Sequence, residues 1–192
     1  MPVLFFIRHA APEATAALSP AEWPLSVSGV AAARALELPA GARILASNER
    51  KAIETVEIAS GTTAIVDPDF GEVRRDEPFG DDFRQRRRAW IRGDRDDRHT
   101  GWETQEAVAR RMTDGLRRHR ADAMVVGTHG MVLTAWLVHS GLVHRGEPAA
   151  EFWEGLAFPE VVPVMADEAL RDFRLVPRRE RLRPRRADPR GR

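Results

Sequence analysis

Two apolar runs of strand length, each ending in a histidine, constrain this chain more than any other feature. Pro2-Val-Leu-Phe-Phe-Ile7 carries no charge and stops at Arg8-His9; Ala123-Met-Val-Val-Gly127 does the same and stops at Thr128-His129-Gly130. A continuous apolar run, rather than an alternating one, is expected of a strand covered on both faces, as in a parallel sheet flanked by helices. Ligands collect at the carboxyl edge of the strands in such sheets. Both histidines therefore stand where a site is expected, and they face one crevice if the two strands are neighbours.

The sequence between and after these runs alternates strand and helix patterns. Ser26 is placed to cap a helix in which Val30, Ala33 and Leu36 recur at helical spacing, and Pro39-Ala-Gly41 stops it. Arg43-Ile-Leu-Ala46 reads as a short strand, and Ser47 or Asn48 as the cap of a helix with the stripe Ala52, Ile53, Val56 and Ile58 and Gly61 past its end. Thr63-Ala-Ile-Val66 is a further strand pattern. A charged stretch then runs to about Thr100, with a helix over Asp81 to Ile91. Glu103 to Arg118 is predicted helical, capped by Thr104, with Val108, Met112 and Leu116 on one face, and Met131 to His139 is an apolar helix. Glu160 to Val176 alternates around Ala166-Asp-Glu168, the pattern of an edge hairpin. The order implies an α/β fold of three layers, α/β/α, with a mostly parallel central sheet and an antiparallel edge hairpin near the C-terminus.

At 192 residues the chain suits one domain, expected over 1–176, followed by an Arg/Pro-rich tail at 177–192 expected to be disordered. That tail carries eight Arg against Glu180 and Asp188, so of the overall net charge of +1 the first 176 residues account for −5. It lacks interleaved aromatics for base stacking, so no specific nucleic-acid binding is expected. No cysteine occurs, which excludes disulfides, thiolate nucleophiles and Cys-ligated metals and suits a cytoplasmic location. No apolar run is long enough to span a membrane and no signal peptide is expected.

Arg8 beside His9, with His129 at the second strand end, has the makings of a phosphoryl pocket. Imidazole is largely unprotonated near neutral pH and can act as a nucleophile, while a planar guanidinium suits the phosphoryl oxygens. His99, His119, His139 and His144 lack such neighbours and read as surface or packing residues. Trp136 fits a helix core face; Trp90 and Trp102 fit either a substrate entrance or packing on the sheet, with packing the prior.

Phe6-Ile-Arg-His-Ala10 resembles the Arg-His-Gly signature of the histidine phosphatase, or phosphoglycerate-mutase-like, superfamily. Leu25-Ser-Val-Ser-Gly29 resembles that family's Leu-(Ser/Thr)-x-x-Gly segment, and Ser47 to Thr55 its Ser-x-x-x-Arg-Ala-x-x-Thr helix. Trp102-Glu-Thr and Thr128-His-Gly130 resemble its later Gly-Glu-Ser and (Ser/Thr)-His-Gly elements. Together the segments cover about residues 2–176. The resemblance implies a phosphomonoester hydrolase in which His9 forms a phosphohistidine, Arg8 and His129 bind the phosphoryl oxygens, and no metal or other cofactor takes part. Thr128 is a further candidate phosphate donor. The family's second arginine falls at Lys51, the only lysine in the chain; placing Arg50 there instead would shift Ala52 and Thr55 out of register. For the general acid, Glu72 matches the family pattern best, with Glu77 second and Asp76 third. The expected partner is a small-molecule phosphomonoester, the cations of the Arg-rich stretch from Arg84 to Arg98 favouring an anionic one, and a homodimer fits. Within the same chemistry a sugar-phosphate phosphatase or mutase and a phosphohistidine phosphatase are alternatives; a phosphate-binding module with weak turnover is the alternative from another class.

Overall fold

The computed structural model describes residues 1–77 and 82–176. A six-stranded sheet forms its centre, in the order β3-β2-β4-β1-β5-β6. β1 (Val3–Arg8) lies between β4 (Ala123–Thr128), parallel to it, and β5 (Glu160–Ala166), antiparallel. β2 (Arg43–Ala46) continues the parallel part beside β4, with β3 (Ile65–Val66) at one edge. β6 (Phe173–Leu175) runs antiparallel to β5 at the other edge, which is the expected hairpin.

The two histidine-ended strands are neighbours. Their register pairs Arg8 with Thr128, so His9 and His129 leave the sheet side by side. Alternate residues of β1 point to opposite faces. Leu4 and Phe6 join one core, shared with Met112, Leu116 and Leu133 of the helices over that face. Phe5 and Ile7 join the other, with Val56 and Ile53. This double coverage is why the run is apolar without alternation.

The first helices on the second face are α1 (Val27–Arg34), capped by Ser26 as expected, and α2 (Arg50–Ser60), which ends at Gly61 with φ +69°. On the opposite face lie α3 (Phe83–Arg92), α4 (Gln105–Arg118), capped by Thr104, and α5 (Gly130–His139). α1 stops at Arg34, with Ala35 as its C-cap, short of Leu36. One further helix, α6 (Glu147–Gly155), leaves no mark in the sequence pattern. It enters through Gly146 and Pro148 and buries only Ala149, Ala150 and Trp153, too short a stripe to stand out by period. The expected start of α3 at Asp81 and the tail at 177–192 lie outside the described residues.

Trp90 and Trp136 are fully buried and Trp102 is 3% exposed, so these tryptophans pack. His99 packs too: the Asp96 N–H donates to its Nδ1 and its Nε2 donates to the Arg86 carbonyl. No helix among the described residues is long and apolar enough to cross a membrane.

Candidate active site

The site begins where β1 ends. The His9 N–H donates to the Thr128 carbonyl at 3.0 Å, which ties the strand ends together. The His9 ring lies 2.8 Å, through Nδ1, from the Ala10 carbonyl. A carbonyl can only accept, so Nδ1 carries the proton and Nε2 keeps its lone pair. Burial, then the neighbouring His129, push the His9 pKa well below 6.5, against the opposing effect of the Ala10 hydrogen bond. His9 is therefore neutral at pH 7 with one defined tautomer.

The following loop is fixed from two helices. The Ala10 N–H donates to Thr55 Oγ1 at 2.9 Å, and Thr55 in turn donates to the Lys51 carbonyl. The Ala11 carbonyl accepts from the Ser26 N–H and hydroxyl, both at 3.0 Å. A Cβ on Gly29 would stand 2.2 Å from that carbonyl oxygen, so only glycine lets α1 approach this closely.

His129 caps the start of α5 and is fully buried, its ring centroid 5.1 Å from that of His9 at 60°. Its Nε2 is 2.7 Å from Ser47 Oγ, which already accepts the Glu49 N–H at 3.1 Å. The Ser47 hydroxyl can donate to Nε2 in the tautomer that carries the His129 proton on Nδ1. Nδ1 is buried with no hydrogen-bond partner among the described residues. It is an unused donor. Burial lowers the His129 pKa, with Glu49 and Glu72 opposing.

Arg8 stacks on Phe158, its Cζ 3.5 Å from the ring centroid, and one guanidinium nitrogen donates to the Leu156 carbonyl. Phe158 also lies 5.3 Å from the His9 ring and is 44% exposed, at the mouth of the cleft. Burial lowers the Arg8 pKa to about 10, which leaves it cationic at neutral pH, and its Nε has no hydrogen-bond partner among the described residues. A Cβ on Gly130 would come within 3.3 Å of that Nε.

Lys51, in the first turn of α2, is 6% exposed. Its ammonium donates to the Pro20 carbonyl at 2.6 Å and pairs with the Glu49 carboxylate. Arg50 points outward and binds Glu54, its side chain 55% exposed. Lys51 is thus the inward residue of the pair, as the register required.

Glu72 lies in the loop after β3. One carboxylate oxygen accepts from the Val73 N–H at 2.9 Å and from the Val132 N–H, in the first turn of α5, at 3.2 Å. Burial would push its carboxyl up; His129, Arg75, the Val73 amide and Arg87 outweigh that and hold it at about 2. Arg111 secures the loop by donating to the carbonyls of Asp69, Gly71 and Glu72 while pairing bidentately with Glu103 at 2.8 and 2.9 Å. Glu77 is held away by Arg75 and Arg87, at 3.0 and 2.6 Å, and Asp76 is exposed.

Two expectations need correction. Thr128 does not present its hydroxyl: it is fully buried and donates to the Phe70 carbonyl at 2.8 Å. Ser47 does not cap α2. Glu49 is the capping position, and Ser47 serves His129 instead.

A family model, the histidine phosphatase superfamily (branch 1), matches residues 4–172. The chain belongs to the histidine phosphatase superfamily. Solved structures agree in fold. A Bacillus stearothermophilus protein, YhfR, is 18% identical, with 92% of this chain and 96% of that one covered and a TM-score of 0.65. The mycobacterial glucosyl-3-phosphoglycerate phosphatase Rv2419c, complexed with VO3, is likewise 18% identical over 92% and 97%, with a TM-score of 0.65. A phosphoserine phosphatase mutant from Entamoeba histolytica, in complex with phosphoserine, is 14% identical over 92% and 96%, with a TM-score of 0.63. No curated protein sequence matches the chain.

The segments that resemble histidine phosphatases meet in this cleft, and their fixed residues have visible tasks: Gly29 admits the loop after His9, Ser47 orients His129, Thr55 anchors Ala10, and Glu103 holds Arg111. Sequence reasoning missed Glu49, Arg111 and Phe158. Glu49 and Arg111 look like ordinary helix charges, and Phe158 stands alone before a proline. Among the described residues no group of three or more His, Asp or Glu is arranged to hold a metal ion.

Proposed function

We propose that the protein is a phosphomonoester hydrolase acting through a phosphohistidine on His9, without a metal. The observation that carries this is the pairing of a His9 held neutral, with its Nε2 lone pair uncommitted, and a buried His129 Nδ1 and Arg8 Nε with no hydrogen-bond partner among the described residues. Unpaired buried donors are costly, and a phosphoryl group would satisfy both.

In the reaction, His9 Nε2 forms a bond to phosphorus as the bond from phosphorus to the ester oxygen breaks. Arg8, His129 and Lys51 carry the charge on the phosphoryl oxygens. Glu72 gives its proton to the leaving oxygen, then takes one from the water that attacks the phosphohistidine, releasing phosphate and restoring His9. A carboxyl at about 2 is ionised in the empty site. The negative charge of the bound phosphoryl group opposes the arginines and raises it, so the proton is taken up with the substrate.

The names of the structural neighbours carry two phosphomonoesters, glucosyl-3-phosphoglycerate and phosphoserine, and the cations around Glu77 near the cleft suit an anionic substrate of that kind. The test is hydrolysis of p-nitrophenyl phosphate in excess EDTA, with His9→Ala beside the wild type. EDTA-resistant activity that the substitution abolishes supports the reading; activity that survives in His9→Ala refutes it. The pairing of Lys51 with Glu49 favours a second reading, a phosphate-binding module with weak turnover. That reading predicts phosphate binding with no phosphoenzyme.

A further inference from the structure

A carboxylate stands among the proposed phosphoryl-binding groups, and the reaction as written has no use for it. Glu49 precedes α2, with its side chain 15% exposed. One of its oxygens pairs with the Lys51 ammonium; the other accepts the Glu72 N–H at 3.2 Å and lies 3.6 Å from His129 Nε2. Its own N–H is bound by Ser47. The side chain is therefore held by Lys51 of α2 and by the Glu72 loop.

Among the groups assigned to the phosphoryl group and its neighbours, Arg8 and Lys51 are cations, Glu49 and Glu72 anions, and His9 and His129 neutral, with Arg75 and Arg87 also acting on Glu72. Lys51 has three ammonium hydrogens. The Pro20 carbonyl and Glu49 occupy two of them. A phosphoryl group entering the site finds one hydrogen, and a cation whose charge is already offset by a neighbour.

We propose that Glu49 is a resident anion for Lys51, an affinity-limiting residue that holds the ammonium while the site is empty and competes with the phosphoryl group for it. Its consequence is weaker ground-state binding of substrate and faster release of inorganic phosphate. Interactions that bind ground state and product tightly do not raise turnover, so a competitor of this kind suits an enzyme that must shed its product. The inference rests on the phosphatase reading.

Glu49→Gln removes the charge and keeps both the shape and an acceptor for the Glu72 N–H. Inorganic phosphate, titrated by calorimetry at pH 7.5, is the probe for wild type, Glu49→Gln, Lys51→Met and the double variant. Glu49→Gln is expected to bind phosphate roughly tenfold tighter, and the gain to shrink to less than about threefold in the Lys51→Met background. Unchanged or weaker binding in Glu49→Gln, with wild type binding normally, overturns the assignment alone. A gain of equal size in both backgrounds overturns the route through Lys51. No phosphate binding by the wild type overturns the phosphatase reading, and the assignment with it.

Discussion

Arg111→Met isolates what holds the Glu72 loop in place. Arg111 is 9% exposed and Glu103 10% by side chain, so this is a buried ion pair rather than a surface one. The substitution strips donors from the carbonyls of Asp69, Gly71 and Glu72 and leaves Glu103 with the Arg74 N–H at 3.1 Å. Removing one partner of a buried pair costs about 3–5 kcal/mol, a large part of the roughly 5–15 kcal/mol that stabilises a domain. Urea unfolding followed by tryptophan fluorescence measures the loss. Arg110→Met, at an exposed position of the same helix, is the control and should stay within about 0.5 kcal/mol of wild type. The double variant Glu103→Gln with Arg111→Met should recover much of the stability, because no buried charge is left alone. A loss below about 1 kcal/mol in Arg111→Met refutes the reasoning.

Three other outcomes are expected. Glu72→Gln should slow hydrolysis of alkyl phosphates by about 10²–10⁴-fold while sparing p-nitrophenyl phosphate, whose leaving group needs no proton; equal losses on both would remove Glu72 from the acid role. Lys51→Ala should lower turnover by about 10²-fold or more, whereas Arg50→Ala, which faces solvent, should leave it nearly unchanged; equal effects would contradict the inward assignment of Lys51. Stability should fall with pH in two stages. His9 and His129 have folded pKa values below the ordinary 6.5, so their contribution is complete above 6.5 and is lost as pH falls below it. The Glu72 carboxyl, held at about 2 against an ordinary 4.5, contributes above 4.5 and loses that contribution as pH falls toward 2. Urea midpoints across pH 3 to 8 check both stages, and Glu72→Gln should make the lower stage shallower, with the remaining slope coming from Glu49, Asp67, Glu77 and Glu103, whose carboxyls are also held low; a midpoint that rises from pH 7 to 5 would contradict the histidine part.

What could be read from the sequence was governed by local pattern. Strands β1 and β4 announce themselves because each is covered on both faces, and their histidines mark the sheet edge that carries the site. The short helix α6 buries too little to leave a period, and of the four residues read as a strand at Thr63 to Val66 only Ile65–Val66 pair, at the exposed edge. The harder failures lie in side chains whose partners are distant in sequence. Ser47 looks like a helix cap, and only the meeting of the turn after β2 with the start of α5 turns its hydroxyl to His129, 82 residues away. Thr128 looks like a phosphate donor until the Phe70 carbonyl claims its hydroxyl. The inward placement of Lys51 followed from register, but its pairing with Glu49 depends on how the Pro20 loop and the Glu72 loop close over α2.

The central claim is that His9 Nε2 carries the phosphoryl group during turnover. The most direct measurement is to mix the enzyme with excess p-nitrophenyl phosphate, quench within milliseconds into alkaline denaturant, which preserves phosphohistidine, and locate the modification by peptide mass spectrometry. Phosphate on His9 in the wild type, and none in His9→Gln, is the predicted result. Turnover without any phosphohistidine, or with the label on His129, would contradict it.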